Sequence, residues 1–131
     1  MIRFYIIYCL ISLNLGALSV DNKQFNKFLS ILARVESGGK TNAVGDNGKA
    51  IGIYQIHYSC WADTTNKLNG KYEDCFNPEY AGKVVYFYLL RYCKSNNYED
   101  MARCWNSGTN WRNKTNLTNK YWARFKKEVN K

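Results

Sequence analysis

The stretch "ILARVESGGKTNAVGDNGKAIGIYQI" (Ile31–Ile56) runs a helical pattern into a carboxylate. Leu32, Leu29 and Phe25 precede Glu36 by four, seven and eleven positions. That spacing puts Glu36 on the helix face expected to pack into a core. Gly38 and Gly39 then stop the helix. A carboxyl group at a helix C-terminus beside an apolar interior meets desolvation and the negative end of the helix dipole, and both favour its neutral form. A carboxyl kept protonated near neutrality is what protonation of a glycosidic oxygen requires. The glycines allow a bulky ligand to approach the backbone. The spacing alone equally suits a glutamate whose head reaches solvent.

Working outward, residues 22–37 read as an amphipathic helix with Phe25, Phe28, Leu29, Leu32 and Val35 on one face. The segment "SGGKTNAVGDNGKA" is turn-rich, and Asp46-Asn47-Gly48 is its strongest hairpin signal. "AIGIYQI" is expected as one short strand, and residues 58–68 as a helix. "EYAGKVVYFYLLRYC" (79–93), behind Pro78, predicts a strongly apolar helix, and "NYEDMARCWNSG" a short one ended by Ser107-Gly108. The tail "LTNKYWARFKKEVNK" predicts a last helix with Thr118 as its N-cap. The fold class expected is α+β, mainly α, with one small antiparallel hairpin.

At 131 residues the chain is long enough for one domain with a real core. Its first nineteen residues, "MIRFYIIYCLISLNLGALS", carry one early cation, an apolar run and small residues at Ala17 and Ser19. They read as a secretory signal peptide cut before Val20, leaving residues 20–131 as the domain. As a membrane anchor the run is short, Ser12 and Asn14 interrupt it, and no basic stop follows closely. Removal of Cys9 with that segment leaves Cys60, Cys75, Cys93 and Cys104, expected to form two disulfides by one of three pairings. Their spacings of fifteen, eighteen and eleven residues lack the close cysteine pairs that metal sites favour, so no metal and no cofactor is expected.

The sequons at Asn113 and Asn116 would be surface glycan acceptors. The whole chain has 19 Lys and Arg against 10 Asp and Glu; without Arg3 the net charge is near +8. A basic secreted protein is drawn to polyanions such as bacterial walls, but the cations are dispersed. No nucleic-acid-binding motif is present, and no nucleic-acid partner is expected.

The segment "ESGGKTNAVGDNGKAIGIYQI" resembles the signature of the lysozyme-like superfamily. It is most similar to the lytic transglycosylase, goose-type and phage-type lysozyme group. In that group a glutamate-serine pair ends a helix, a Gly/Asn-rich turn follows, and a Gly-x-x-Gln-Ile strand comes next. "MARCWNSG" resembles the family's helix ending in aromatic-Asn-x-Gly, and "NKYWARFKKEV" its terminal Tyr-Trp helix. "CWADTTNKLNGKYEDC" also resembles invertebrate-type lysozymes. The resemblance runs from about Phe25 to Val129.

It implies a lysozyme-like fold with Glu36 as the catalytic acid. Ser37, of the matching glutamate-serine pair, would contact the substrate, and Gln55 and Asn106 would hydrogen-bond the sugar or help position the reactive centre. Tyr54, Tyr58, Trp105 and Tyr121 become candidates to line a groove, with core packing as the rival role for each. Core packing is the expectation for Trp122 and for Tyr86-Phe87-Tyr88. Asp46 stands where invertebrate-type lysozymes carry an aspartate and would be the second catalytic carboxylate. Turn chemistry alone also selects "GDNG", and transglycosylases need no such partner. Asp63 is a weaker candidate.

The function implied is a secreted muramidase acting on the β-1,4 bond between N-acetylmuramic acid and N-acetylglucosamine in peptidoglycan. Chitin oligosaccharides are secondary substrates in this reading, and a monomer is expected. The alternatives are lytic transglycosylation of the same bond and a non-catalytic, cationic wall-binding antimicrobial protein.

Overall fold

A computed structural model describes residues 23–131, so the expected signal segment 1–19 lies outside the described residues. Among the described residues the fold is α+β and mainly α, with five α-helices around one small sheet. Helix α1 (Lys23–Ser37) buries Phe25, Phe28, Ile31 and Leu32, the stripe set by its spacing. It stops where Gly38 turns to φ 64°, and the Gly38 and Gly39 N–H groups bond back to the Arg34 and Ala33 carbonyls.

Strands β1 (Val44–Gly45), β2 (Ala50–Ile51) and β3 (Ile56–His57) form an antiparallel sheet in that order. Val44 pairs with Ile51, Ala50 with both Gly45 and His57, and Ile51 with Ile56. The turn expected at Asp46-Asn47-Gly48 joins β1 to β2 as a single 3-10 turn. The one strand expected over 50–56 is instead two strands around a tight turn. Gly52 (φ 77°) and Gln55 (φ 52°) adopt left-handed conformations, and the Gln55 N–H donates to the Gly52 carbonyl at 3.1 Å. A Cβ on Gly52 would overlap the Cys75 carbonyl, so the close approach of the chain there requires glycine.

Helix α2 (Tyr58–Ala62) is shorter than expected. The Thr64 and Thr65 hydroxyls donate to the Trp61 and Ala62 carbonyls, a local alternative to continuing the helix. Helix α3 (Pro78–Tyr92) begins with Pro78 in its first turn, and the Asn77 side chain accepts from the Tyr80 N–H. Helix α4 (Tyr98–Ser107) is capped by Asn97, which accepts from Glu99 and Asp100, and ends at Gly108 with φ 80°.

Helix α5 (Thr115–Val129) starts three residues earlier than its expected cap. Thr118 is inside the helix and fully buried, its hydroxyl 2.9 Å from Nη1 of Arg103. The buried Arg103 guanidinium also reaches the Thr115 carbonyl, Asn119 and Glu99, and so ties α4 to α5. The Thr118 hydroxyl accepts from Arg103 and donates to the Thr115 carbonyl, so it is engaged inside the helix and does not cap it.

The core lies where α1, α3, α4 and α5 meet. Phe28 stands 5.2 Å from Phe125, and Val84, Val85, Leu89 and Met101 close around them. Tyr86 packs edge-on against Phe25, and Trp122 stacks on Phe125, as core packing predicts. Cys60, Cys75, Cys93 and Cys104 are all thiols here. They sit in two neighbouring couples, Cys93 with Cys104 and Cys60 with Cys75, and the Cys93 thiol reaches the Ser95 carbonyl at 4.0 Å.

Candidate active site

The end of α1 delivers Glu36 into a cavity of about 390 Å³ between the sheet and helices α3 and α4. The sheet contributes Asp46, Ala50, Gln55 and His57; α2 contributes Ser59 and Cys60; Tyr88, Trp105, Asn106 and Gly108 close the helical side. Thus Glu36, Asp46, Gln55, Trp105 and Asn106, far apart in the chain, meet in one cavity.

Glu36 is gripped from behind. The Tyr121 hydroxyl donates to its Oε1 at 2.6 Å and the Trp105 indole N–H donates to the same oxygen at 3.1 Å. With Oε1 accepting from two donors, Oε2 is the oxygen left to carry the proton of the neutral form. Burial raises the pKa of Glu36 above the ordinary carboxylate range. The bonds from Tyr121 and Trp105 and the charges of Arg124 and His57 pull the other way without cancelling it. Burial, followed by the neighbouring Glu36 charge, pushes the Tyr121 phenol well above its usual range, so Tyr121 stays a donor. The site therefore holds a carboxyl group in a fixed orientation and shifts it toward its neutral form, the direction that a general acid needs.

The other aromatic expectations divide. Trp105 lines the cavity and meets Tyr88 edge-on at 5.6 Å. Tyr121 is 4 % exposed and acts behind Glu36, not as a groove wall. Tyr54 is 6 % exposed and belongs to the core, because the Gly52–Gln55 turn directs it inward. Tyr58 is exposed but stacks outside the cavity, against Trp61 and Tyr72.

The Ser37 hydroxyl donates to the Ile53 carbonyl at 2.7 Å and accepts from the Lys40 N–H, pinning the end of α1 to the sheet. Gln55 lines the cavity while its amide donates to the Gly52 carbonyl at 3.0 Å. A Cβ on Gly45 would overlap the Gln55 side-chain oxygen, so the bare Gly45 backbone leaves room for that side chain. Asp63 accepts from the Tyr92 hydroxyl outside the cavity. Asn113 and Asn116 are both at the surface.

Two cavity residues escape the sequence reading. Tyr88 packs against the core as expected and also lines the cavity, which the sequence does not signal. His57 carries no motif; only its place immediately after Gln55-Ile56 hints at the site. Its Nε2 lies 3.3 Å from Oδ2 of Asp46. Among the described residues no group of His, Cys, Asp and Glu is arranged to hold a metal ion, and no helix is long and apolar enough to cross a membrane.

No curated protein and no solved structure matches the chain. The Transglycosylase SLT domain matches residues 16–129, which include every element that builds the cavity. A buried acid at a helix end, presented to a cleft by a match of that extent, has one reading: the chain belongs to the Transglycosylase SLT domain family, lysozyme-like enzymes of lytic transglycosylase type that cleave peptidoglycan.

Proposed function

We propose that the protein is a secreted muramidase that hydrolyses the β-1,4 bond from N-acetylmuramic acid to N-acetylglucosamine. Glu36 protonates the leaving oxygen, and Asp46 takes a proton from the attacking water. The observation that carries this reading is the presence of two unlike carboxyl groups in one cavity. Glu36 is desolvated and held by Tyr121 and Trp105, whereas the Asp46 side chain is 58 % exposed and open to water. Environments that separate two carboxyl groups in this way assign one as acid and the other as base.

The second reading is lytic transglycosylation, which the family match favours. There the 6-hydroxyl of the muramic acid replaces water, and Asp46 serves only the turn. Mass spectrometry of muropeptides released from purified peptidoglycan separates the two, with Glu36→Gln as control. Reducing ends support hydrolysis; anhydro-muramic ends, lighter by one water, overturn it in favour of transglycosylation.

Secretion rests on the segment 1–19 and predicts a mature protein beginning at Val20. An oxidising compartment would convert the two thiol couples to Cys60–Cys75 and Cys93–Cys104 disulfides. Peptide mapping without reductant tests that pairing, and any crossed pair would refute it.

A further inference from the structure

A carboxylate that activates water must point at the reacting carbon, and the setting of Asp46 gives it little direction of its own. It begins a 3-10 turn with φ 50°, its side chain is 58 % exposed, and His57 is its one side-chain partner among the described residues. His57 arrives from β3 on the far side of the sheet, where it pairs with Ala50 of the central strand. The sheet register thus brings β3 beneath the turn after β1, and Nε2 of His57 comes within 3.3 Å of Oδ2 of Asp46. Both side chains line the Glu36 cavity, and the His57 charge also acts on Glu36 itself. One imidazole therefore touches the exposed carboxylate and influences the buried one.

We propose that His57 is a positioning residue for Asp46. In the free protein the two form a charge contact at 3.3 Å. In the reacting complex the Nε2–H turns onto Oδ2 as a donor and leaves Oδ1 to receive a proton from the attacking water. This role rests on the hydrolytic reading of the site. In the step it serves, the water oxygen bonds to the anomeric carbon of the muramic acid as one water proton passes to Oδ1 of Asp46. The glycosidic C–O bond breaks, its electron pair stays with the leaving oxygen, and the Glu36 proton neutralises that oxygen. Proton exchange with solvent then restores Glu36 and Asp46. A charge at His57 without directional bonding would not orient the carboxylate, so the donor matters more than the charge.

The test compares His57→Ala, His57→Gln and Asp46→Asn with the unaltered enzyme on purified peptidoglycan, measuring kcat, KM and the ratio of reducing to anhydro ends. His57→Ala is expected to lower kcat about 10- to 100-fold, the scale of a misplaced catalytic group, with KM within about twofold. The few products that remain should shift toward anhydro ends, since attack by the substrate's own 6-hydroxyl does not use Asp46. His57→Gln, which retains an N–H donor, should restore kcat to within about threefold. A residue that merely braces the sheet would lower thermal stability without changing the end ratio, and that result overturns the proposal. Equal losses in the Ala and Gln variants overturn the donor role. If Asp46→Asn abolishes cleavage but His57→Ala changes neither kcat nor the end ratio, the hydrolytic reading stands and His57 has no part in it. Anhydro ends alone from the unaltered enzyme remove the hydrolytic reading, and this proposal with it.

Discussion

Glu36 and Asp46 share a cavity and little else. Glu36 ends a fifteen-residue helix, stands beside the core, and is held by donors from two further helices. Asp46 sits on a single turn between two-residue strands, half open to solvent and held by one imidazole from the same small sheet. On the proposed reading, the difference follows from what each role demands. An acid must be desolvated to stay protonated, and desolvation requires helices packed behind it. A group that handles water must be reachable by water, so it belongs on a shallow hairpin. Helical packing and the sheet therefore supply opposite dielectric surroundings on two sides of one cleft.

The largest effect should come from the buried side. Glu36→Gln removes the transferable proton while keeping an acceptor for Tyr121 and Trp105, and should lower kcat by about 10²–10⁴-fold in a muropeptide-release assay. A loss under about tenfold would end the assignment of Glu36 as general acid.

Next comes the packing that makes the burial possible. Arg103→Met strips the bonds that tie α4 to α5, the helices that carry Trp105 and Tyr121, and strands the acceptors on Thr118 and Asn119. A destabilisation of about 1–3 kcal/mol is expected in denaturant unfolding, mostly from the buried Thr118 hydroxyl losing its donor. Because His57 and Asp46 belong to the sheet, their contact should outlast this change.

A smaller, directional effect comes from Tyr121→Phe. The Tyr121 bond lowers the pKa of Glu36, so its removal lets burial raise that pKa further. Activity that needs the protonated acid then persists to higher pH, and the falling limb of kcat/KM against pH should move upward. A downward movement would mean that the bond favours the neutral acid.

The smallest effect is on stability. The folded pKa of Glu36 is raised, so the native state is favoured fully below the unfolded carboxyl pKa and loses that advantage as pH rises through the folded value. Glu36→Gln cannot ionise. It should melt a few degrees higher than the parent at pH 7, and the two should converge below about pH 4 in calorimetry. Melting temperatures that differ equally at both pH values would show that ionisation of Glu36 is not what separates them.

How much of this was legible depended on the range of the interaction. Helices α1, α3 and α4 were expected within a residue or two of where they lie, because apolar spacing, Asn or Pro at the start and Gly at the end act within a few positions. Glu36 stood out for the same reason: its face follows from Leu32, Leu29 and Phe25 along one helix. Tyr54 went to the core and Tyr88 serves core and cavity together, because a tyrosine suits both and only the neighbouring segments decide between them. Thr118 looked like a helix cap because a threonine ahead of a helical run is the local capping pattern, whereas the Arg103 donor that engages it lies fifteen residues away, which no local pattern encodes.

By itself the sequence determined a mainly helical domain, an acid at a helix end beside a glycine-rich turn, and a hairpin at Asp46-Asn47-Gly48. Each depends on backbone preference and periodicity within one turn or one repeat. The tertiary structure decided that Trp105 and Tyr121 hold the acid, that Gly52 divides a strand in two, and that His57 meets Asp46. Those outcomes need side chains up to 85 positions apart to arrive within about 3 Å of each other. Only the packing of α1 against α4 and α5, and the register of three short strands, brings them there.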